Sequence, residues 1–305
     1  MRLLHHFSIG KTHGGKQSMV EKRVFGSRAS IDNVFSCLTH SGLAMTSSAT
    51  NQLLATLDEP AQVLVIGASG GIGLALTAQL LAHSQVAHVT AAARHAADSA
   101  ELAELKAKYP TRLAIAGADI TDGTSLLSLA ASLPIPILHL VINATGLLHG
   151  AALSPEKSLS AVTGDNLQRV FAVNAFGPIL LAQAMLPLMR HNTSAVFASL
   201  SARVGSITDN KLGGWYAYRA AKAAQNQLLK TAAIECRRTH PQLSIQLLHP
   251  GTVDSALSKP FQRGVAEGKL FDPARAAAQL LAVIATATPG NSGRFIAWDG
   301  TEVPW

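Results

Sequence analysis

From residue 62 onward, short runs of apolar residues alternate with longer segments that have helical periodicity. Each short run is mostly apolar, as expected for a strand that is buried on both faces of a sheet. Such strands, connected by helices, predict a parallel sheet between two helical layers, which is a doubly wound α/β/α (Rossmann) fold. The expected strands are residues 63–66, 86–92, 113–116, 137–142, 195–200, 245–248 and 294–297.

Helices are expected between these strands, and a tail is expected before them. The expected helices are residues 74–83, 98–109, 124–133, 165–190, 215–239 and 272–287. No internal repeat interrupts the pattern, so we expect one domain over residues 58–305. Residues 1–57 follow neither period, and residues 1–44 carry six basic against two acidic side chains. We expect a disordered or leader-like extension there, with a transit peptide or a natural start at Met45 as open alternatives.

Composition narrows the class of protein. Apolar residues make up 48% of the chain and charged residues 14%, which favours a globular protein over a disordered one. No run of about 18 apolar residues occurs, so no membrane span is expected. The two cysteines, Cys37 and Cys236, are too few for a disulfide scaffold and fit a reducing, cytoplasmic compartment. The net charge of +7 lies mainly in the first 44 residues, which gives little reason to expect nucleic-acid binding.

A glycine-rich turn follows the first expected strand directly. Gly67, Gly71 and Gly73 form the pattern Gly-x-x-x-Gly-x-Gly, with Ser69 and Ile72 between them, and a helix comes next. Glycine permits the sharp turn and lets backbone amides approach a pyrophosphate, whose charge the amino end of the helix stabilises. This context predicts a dinucleotide site, and a tight turn without a ligand is the alternative.

The ends of the second and third strands add two candidate cofactor contacts. Where NAD-binding chains carry an acid for the ribose hydroxyls, this chain has Arg94, which suits a 2′-phosphate and so favours NADP over NAD. Asp119 and Ile120 follow the third strand, where a carboxylate and an amide could address the adenine. A solvated arginine and a turn-capping aspartate are the alternatives.

Tyr218 and Lys222 stand four residues apart in the segment 215–222. On a helix this spacing places both side chains on one face. Because a nearby ammonium favours phenolate, we expect Lys222 to lower the pKa of Tyr218 toward the range of an acid/base catalyst. A chance pairing on a solvated helix is the alternative. Tyr216 has no such partner, since Ala220 lies four residues further on.

In this order and spacing, these residues are similar to the motifs of the short-chain dehydrogenase/reductase family. The similarity extends from about residue 62 to the end of the chain. The matching positions are Gly67, Gly71 and Gly73 of the glycine motif, Asp119 at the adenine, Asn143, Ala144 and Gly146 after the fourth strand, Asn174 of the catalytic tetrad, Tyr218 and Lys222, and Pro250, Gly251 and Val253 on the nicotinamide side. Residues 203–207, 213–215 and 298–305 resemble the carbonyl-reductase branch that includes the C-factor and sniffer proteins.

One catalytic position departs from the family pattern. The family serine, three residues before Gly205, would fall on Ala202. We choose Ser201 instead, because it leaves the expected strand directly and could face the cleft at the carboxyl ends of the sheet. Ser206 is the open alternative. If neither hydroxyl reaches the substrate, carbonyl polarisation would fall to Tyr218 alone.

The resemblance implies an oxidoreductase that transfers a hydride between NADP(H) and a small-molecule carbonyl or alcohol. It implies that Tyr218 exchanges the proton, that Lys222 holds the nicotinamide ribose, that Asn174 anchors a water, and that Ser201 donates to the substrate oxygen. No metal is expected. Substrate choice is expected to lie in residues 252–271, as a flexible lid.

Two further expectations follow from the resemblance. Helices around 165–190 and 215–239 have wide apolar faces and often pair between subunits in this family, so we expect a homodimer or homotetramer, with core packing as the alternative. A non-catalytic NADP(H)-sensing or cell-signalling protein on the same scaffold is the alternative function, favoured by the displaced serine.

Overall fold

A seven-stranded parallel sheet forms the centre of the computed structural model, which describes residues 52–54 and 56–305. The strands are β1 (Ala61–Ile66), β2 (Val86–Ala93), β3 (Leu113–Gly117), β4 (Leu140–Asn143), β5 (Ala195–Leu200), β6 (Leu243–His249), a separate short pair β7 (Thr252–Val253) and β8 (Leu270–Phe271), and β9 (Arg294–Ala297). The sheet order is β3-β2-β1-β4-β5-β6-β9. The strand order reverses between β1 and β4, so their carboxyl ends form the crevice in which such sheets bind ligands.

Helices cover both faces of this sheet. They are α1 (Gly71–Ala82), α2 (Ala100–Lys108), α3 (Gly123–Ala131), α4 (Gly164–Phe171), α5 (Gly177–Met185), α6 (Tyr216–Thr239) and α7 (Pro273–Ala285). Side chains of α1, α2 and α7 pack in one apolar cluster, and those of α3, α5 and α6 pack in a second. Val65 of β1 belongs to the first cluster and Ile66 to the second, because successive strand residues point to opposite faces. The predicted three-layer doubly wound fold is confirmed.

Two expected elements differ in their bounds. The strand expected at 137–142 begins at Leu140, since Ile137 follows Pro136 and is 41% exposed. The helix expected at 165–190 is divided into α4 and α5 by a π-helical turn, Ala172–Phe176, and ends in the 3-10 turn Leu186–Met189. Apolar periodicity predicted that both segments exist. It did not predict the effects of Pro136 on the strand or of the π turn on the helix.

The last residues of the expected extension, up to residue 57, pack against the domain. Leu53, Leu54 and Leu57 are 3%, 0% and 1% exposed and belong to the apolar cluster that contains α1. The amide nitrogen of Leu53 donates to Oε1 of Gln85 at 2.7 Å. Residues from Leu53 onward therefore pack as part of the domain, and the rest of the expected extension lies outside the described residues.

One helical stretch, Gly164–Met189, is long and apolar enough to cross a membrane, with a mean hydropathy of 1.6. Half of this window is buried inside the protein, and Leu181 and Met185 are fully buried in the cluster below the sheet. A core helix of a folded domain passes the same test of length and composition. The stretch is therefore weak evidence for a membrane span, and the expected absence of one stays a prediction.

Candidate active site

The loop between β1 and α1 has backbone conformations that glycine favours. Gly67 and Gly71 adopt left-handed φ values of +83° and +45°. A Cβ at Gly67 would lie 2.9 Å from the carbonyl carbon of Ala144, and a Cβ at Gly73 would lie 2.1 Å from the carbonyl oxygen of Gly67. The loop thus packs against α1 and against the loop after β4 so closely that side chains have no room.

The amino end of α1 suits an anionic ligand. Its N-cap, Gly70, makes no side-chain cap, and its first turn contains no acidic residue. The first amide groups and the positive end of the helix dipole therefore face no carboxylate of their own helix, and Ser69 stands beside them. Ile72 packs against the apolar cluster that contains Val253, so two separately predicted cofactor contacts lie in one region. A cradle of this kind fits a pyrophosphate.

Arg94 and Asp119 follow the neighbouring strands β2 and β3. Arg94 is exposed, whereas Oδ1 of Asp119 accepts hydrogen bonds from the backbone nitrogen and the Oγ1 of Thr121, each at 2.8 Å. These bonds lower the pKa of Asp119, and the charges of Arg94 and His95 lower it further. Asp119 therefore caps a turn, as the alternative interpretation held. Ile120 is 5% exposed.

Asn143 ends β4 and fixes the loop that follows. Its Oδ1 accepts from the backbone nitrogen of Thr145 at 3.1 Å and from the Oγ1 of Thr145 at 2.7 Å. Ala144 lies against Gly67, as described above. The predicted contacts Asn143, Ala144 and Gly146 therefore form one turn directly beside the glycine loop.

Asn174 lies in the π turn between α4 and α5 and is fully buried. Its Nδ2 donates to the carbonyl oxygens of Leu147 at 2.7 Å and Val170 at 2.9 Å, and its Oδ1 accepts from the nitrogen of Leu147 at 3.1 Å. Both amide hydrogens are thus used within the protein, so a water held by this side chain would have to donate to Oδ1. Asn174 instead fastens the loop after β4 to the helix, at the kind of turn that often marks functional sites.

Tyr218 and Lys222 lie one helical turn apart on α6 and are 7% and 2% exposed. The Nζ of Lys222 lies 5.8 Å from the centroid of the Tyr218 ring. It donates to the carbonyl oxygen of Leu200 at 2.8 Å and to Oε1 of Gln225 at 2.9 Å. Tyr216 is 40% exposed, as suits a tyrosine without a lysine partner.

The pKa of Tyr218 shifts in the direction opposite to our expectation. Burial raises the pKa of Tyr218 above its ordinary value, and burial lowers the pKa of Lys222 to about 7. Desolvation penalises the charged form of both groups, and the ammonium is bonded to neutral oxygens beyond the ring. The expectation that Lys222 lowers the pKa of Tyr218 is therefore wrong here, and Tyr218 is a neutral phenol at neutral pH.

Two residues that sequence reasoning missed, Ser199 and Gln225, connect Lys222 to the end of β4. Nε2 of Gln225 donates to Oγ of Ser199 at 2.8 Å, and Nδ2 of Asn143 donates to the same oxygen at 2.9 Å. Because Oε1 of Gln225 accepts from Lys222, a buried chain of hydrogen bonds links Asn143 to Lys222. Buried polar networks of this kind fix side-chain orientation. A glutamine three residues after the lysine was the only sequence signal.

Ser201 does not direct its proton toward the cleft. Its Oγ donates to Oδ1 of Asn226 on α6 at 2.6 Å. Ser201 and Ser206 are 3% and 1% exposed, so burial does not distinguish them. A hydroxyl that already donates its one proton has none left for a substrate oxygen. This hydrogen bond favours Ser206 over Ser201 as the donor, and the choice between the two serines stays a prediction.

At this turn the side chain of Ser206 is a hydrogen-bond acceptor. Its Oγ accepts from the nitrogen of Asp209 at 3.1 Å, which leaves its own proton for another acceptor. It follows Gly205, where a Cβ would lie 2.8 Å from the Cβ of Lys222. Ser206 thus lies beside α6, while Ala202 packs in the apolar cluster around the predicted catalytic tyrosine.

Pro250 and Gly251 turn the chain away from the end of β6. Gly251 has a φ of +78°, and a Cβ there would lie 2.6 Å from Cε2 of Phe271. A side chain at this position would therefore be both strained and obstructed. Val253 follows in β7 and is buried beside Phe271.

The segment expected to act as a lid contacts the wall of the cleft through aromatic rings. It contains the 3-10 helix Lys259–Gly264, and the Phe261 ring lies 5.0 Å from that of Trp215 in an edge-to-face arrangement. The Trp215 ring in turn lies 6.3 Å from the ring of Tyr218. Sequence reasoning assigned no role to Trp215 or Phe261, because only the fold brings them together.

Sequence comparison finds relatives over most of the described chain. A profile of the short chain dehydrogenases matches residues 61–266, which include every predicted site residue from Gly67 to Val253. The 1-hydroxy-2-glutathionyl-2-methyl-3-butene dehydrogenase of Rhodococcus sp. (strain AD45) is 33% identical over 243 residues, covering 80% of this chain and 99% of the relative. The C-signal of Myxococcus xanthus is 36% identical over 149 residues, covering 48% of this chain and 84% of C-signal.

Solved carbonyl reductases have the same fold. The NADPH-bound carbonyl reductase from chicken fatty liver is similar with a TM-score of 0.71 at 27% identity, covering 81% of this chain and 100% of that chain. The carbonyl reductase Sniffer of D. melanogaster has a TM-score of 0.70 at 23% identity, with the same coverage, and shows the likeness of fold.

Proposed function

Because the chain belongs to the short-chain dehydrogenase family, we propose that it transfers a hydride between NADP(H) and a small carbonyl or alcohol substrate. One observation carries this proposal. A buried tyrosine and lysine lie one turn apart on α6, and hydrogen bonds link the lysine to the turn beside the glycine cradle. An acid/base pair next to a dinucleotide cradle is the arrangement that hydride transfer to a carbonyl requires.

The protonation state of Tyr218 favours reduction of a carbonyl. When bound, the nicotinamide supplies the hydride to the carbonyl carbon. The phenol donates its proton to the substrate oxygen, so that the carbonyl becomes an alcohol and the phenol becomes phenolate. Burial keeps Tyr218 protonated before this step, and Lys222, one turn away, would balance the phenolate charge afterwards.

We propose NADP rather than NAD because of Arg94. Arg94→Ala is expected to weaken NADPH binding about 10- to 100-fold, the typical value of a charged hydrogen-bonded contact. NADH binding should stay within about twofold, since NADH lacks the 2′-phosphate. Fluorescence titration of each nucleotide measures both constants, and NADH is the internal control. An equal loss of affinity for the two nucleotides would show that Arg94 does not bind the 2′-phosphate.

The serine assignment is tested by a matched pair of variants. Ser206→Ala is expected to lower kcat about 100-fold, the typical cost of removing one donor to a developing oxyanion. Ser201→Ala should leave kcat within about threefold, because its proton already bonds to Asn226. Steady-state kinetics of both variants decide the matter. The reverse order of losses would identify Ser201 as the donor to the substrate oxygen. Two small losses would mean that Tyr218 alone polarises the carbonyl.

The substrate class is tested by a cofactor-oxidation screen. Aldehydes, ketones and quinones are offered to the purified full chain with NADPH and with NADH in parallel. We expect oxidation of NADPH with at least one class and slower oxidation of NADH. NADPH binding without turnover across the panel would count against the reductase.

A second function, NADP(H) sensing or signalling without turnover, is favoured by one observation. The family serine position is Ala202, which packs in the apolar cluster around Tyr218, and Ser201 is bonded elsewhere. The relative named C-signal agrees with such a role. Saturable NADPH binding together with an inactive screen would support this function over the reductase.

We also propose a homodimer or homotetramer in the cytoplasm. Phe176 and Ile234 are 52% and 55% exposed on the expected pairing helices, whereas Leu181, Met185 and Leu229 are buried in the core. Part of the apolar surface noted in the sequence is thus core packing, and part faces outward. Two exposed apolar side chains of this size suit a contact with a second copy.

A further inference from the structure

Glu156 is a buried carboxylate close to the start of the catalytic helix. It lies in the loop between Leu153 and the 3-10 turn Leu159–Ala161 and is 3% exposed. Glu156 makes no ion pair within the part of the chain that the structure describes. Burying a carboxylate without a cation costs free energy unless hydrogen-bond donors satisfy it. The donors that bond to Glu156 therefore indicate what this residue holds in place.

The partners of Glu156 are the first residues of α6. Its Oε2 accepts from the nitrogen of Ala217 at 3.2 Å, and its main-chain oxygen accepts from the nitrogen of Trp215 at 2.6 Å. Trp215, the N-cap of α6, makes no side-chain cap, and the first turn contains no acid. Glu156 therefore caps α6 from a loop that is distant in sequence. A negative charge at this place also interacts favourably with the positive end of the helix dipole.

The turn that Glu156 fastens is strained. Gly213, Gly214 and Trp215 are consecutive left-handed residues, with φ values of +65°, +66° and +53°. Trp215 has a side chain, so its left-handed backbone must be imposed by its surroundings. Nε of Arg219 donates to the carbonyl oxygens of Gly213 at 3.3 Å and Gly214 at 3.0 Å, and Glu156 contacts the next residue. The two residues together impose this turn.

The turn determines where two cleft residues lie. Trp215 is the residue whose ring contacts both Tyr218 and Phe261 of the lid segment. Ala217, whose amide Oε2 of Glu156 binds, immediately precedes Tyr218. Loss of the carboxylate contact to Ala217 would therefore loosen the turn that carries the proton donor, while the main-chain bond to Trp215 would remain.

We propose that Glu156 is a positioning residue, whose carboxylate and main-chain carbonyl fix the first turn of α6 and thereby Trp215 and Tyr218. This role rests on the proposed function for its catalytic consequence. The role does not involve the glycine cradle, which is formed by the loop between β1 and α1 and packs against the loop after β4. The expected signature is thus a change in turnover and local mobility without a change in nucleotide affinity.

The test compares Glu156→Ala, Glu156→Gln and Ser99→Ala. Glutamine keeps an acceptor oxygen, and alanine removes it. Ser99 caps α2 by accepting from the nitrogen of Leu102 at 3.3 Å, so Ser99→Ala removes a helix cap elsewhere. We expect Glu156→Ala to lower kcat at least tenfold with the NADPH Kd within about twofold, Glu156→Gln to lower kcat less, and Ser99→Ala to leave kcat unchanged.

Amide hydrogen exchange of residues 215–219 provides a readout that does not need turnover. We expect exchange there to be at least tenfold faster in Glu156→Ala and unchanged in Ser99→Ala. If Glu156→Ala does not fold, Glu156→Gln must show a smaller rise at the same amides. A lower Tm with unchanged kcat and unchanged exchange at 215–219 would overturn the proposal. An inactive wild type would reject the reductase instead, and the exchange result would still decide the role of Glu156.

Discussion

Tyr218→Phe is expected to abolish turnover, with a loss of at least about 1,000-fold in kcat, while NADPH binding stays within about twofold. The change removes only the phenolic oxygen, and the ring stays in its apolar cluster with Ala217 and Ala221. Without that oxygen the proposed proton donor is lost, and a positioned proton donor typically contributes 100- to 10,000-fold. Stopped-flow reduction of the substrate class found by the screen, with parallel NADPH titration, measures both quantities.

Tyr216→Phe is the matched control for this prediction. Tyr216 precedes Tyr218 by two residues, is 40% exposed, and has Ala220 rather than a lysine one turn further on. The control should keep kcat within about twofold. If Tyr218→Phe retained more than a tenth of the wild-type kcat, the proton would come from another donor and the proposed mechanism would fall.

The fold could be predicted from the sequence because each strand is buried on both faces. The strands at residues 195–200 and 294–297 were located to the residue, since a short, mostly apolar run marks each of them. The strand begins at Leu140 rather than residue 137 because of Pro136, which apolar periodicity does not register. The packing of Leu53 depends on a distant segment, which local periodicity does not contain either.

The site was predictable where chemistry follows spacing along the chain, and not where it depends on tertiary contacts. Tyr218 and Lys222 share a helix face because they are four residues apart. The direction of the Tyr218 pKa shift depends on burial and on where the ammonium points, which spacing does not fix. The hydrogen bond between Ser201 and Asn226 could not be predicted for the same reason, since the two residues are partners only in the folded chain.

Gly73→Ala is expected to destroy the cofactor cradle, raising the NADPH Kd at least about 100-fold. A Cβ there would lie 2.1 Å from the carbonyl oxygen of Gly67, and that obstacle is backbone rather than a movable side chain. Gly67 cannot retreat easily, because its nitrogen donates to the carbonyl oxygen of Ala92 at 2.8 Å. Either this bond breaks or α1 moves away from the sheet, and overpacking of this kind costs about 1–3 kcal/mol of the free energy of unfolding.

Gly70→Ala separates the loss of the cradle from a general intolerance of alanine in this loop. Gly70 has an extended backbone that any residue adopts, and a Cβ there would meet nothing within 4 Å. We expect its NADPH Kd to change less than about fivefold and its Tm to stay close to that of the wild type. Isothermal titration and thermal unfolding of the two variants give both quantities. Tight NADPH binding by a folded Gly73→Ala protein would mean that the nucleotide does not use this loop, and the assignment of α1 as the pyrophosphate helix would be lost.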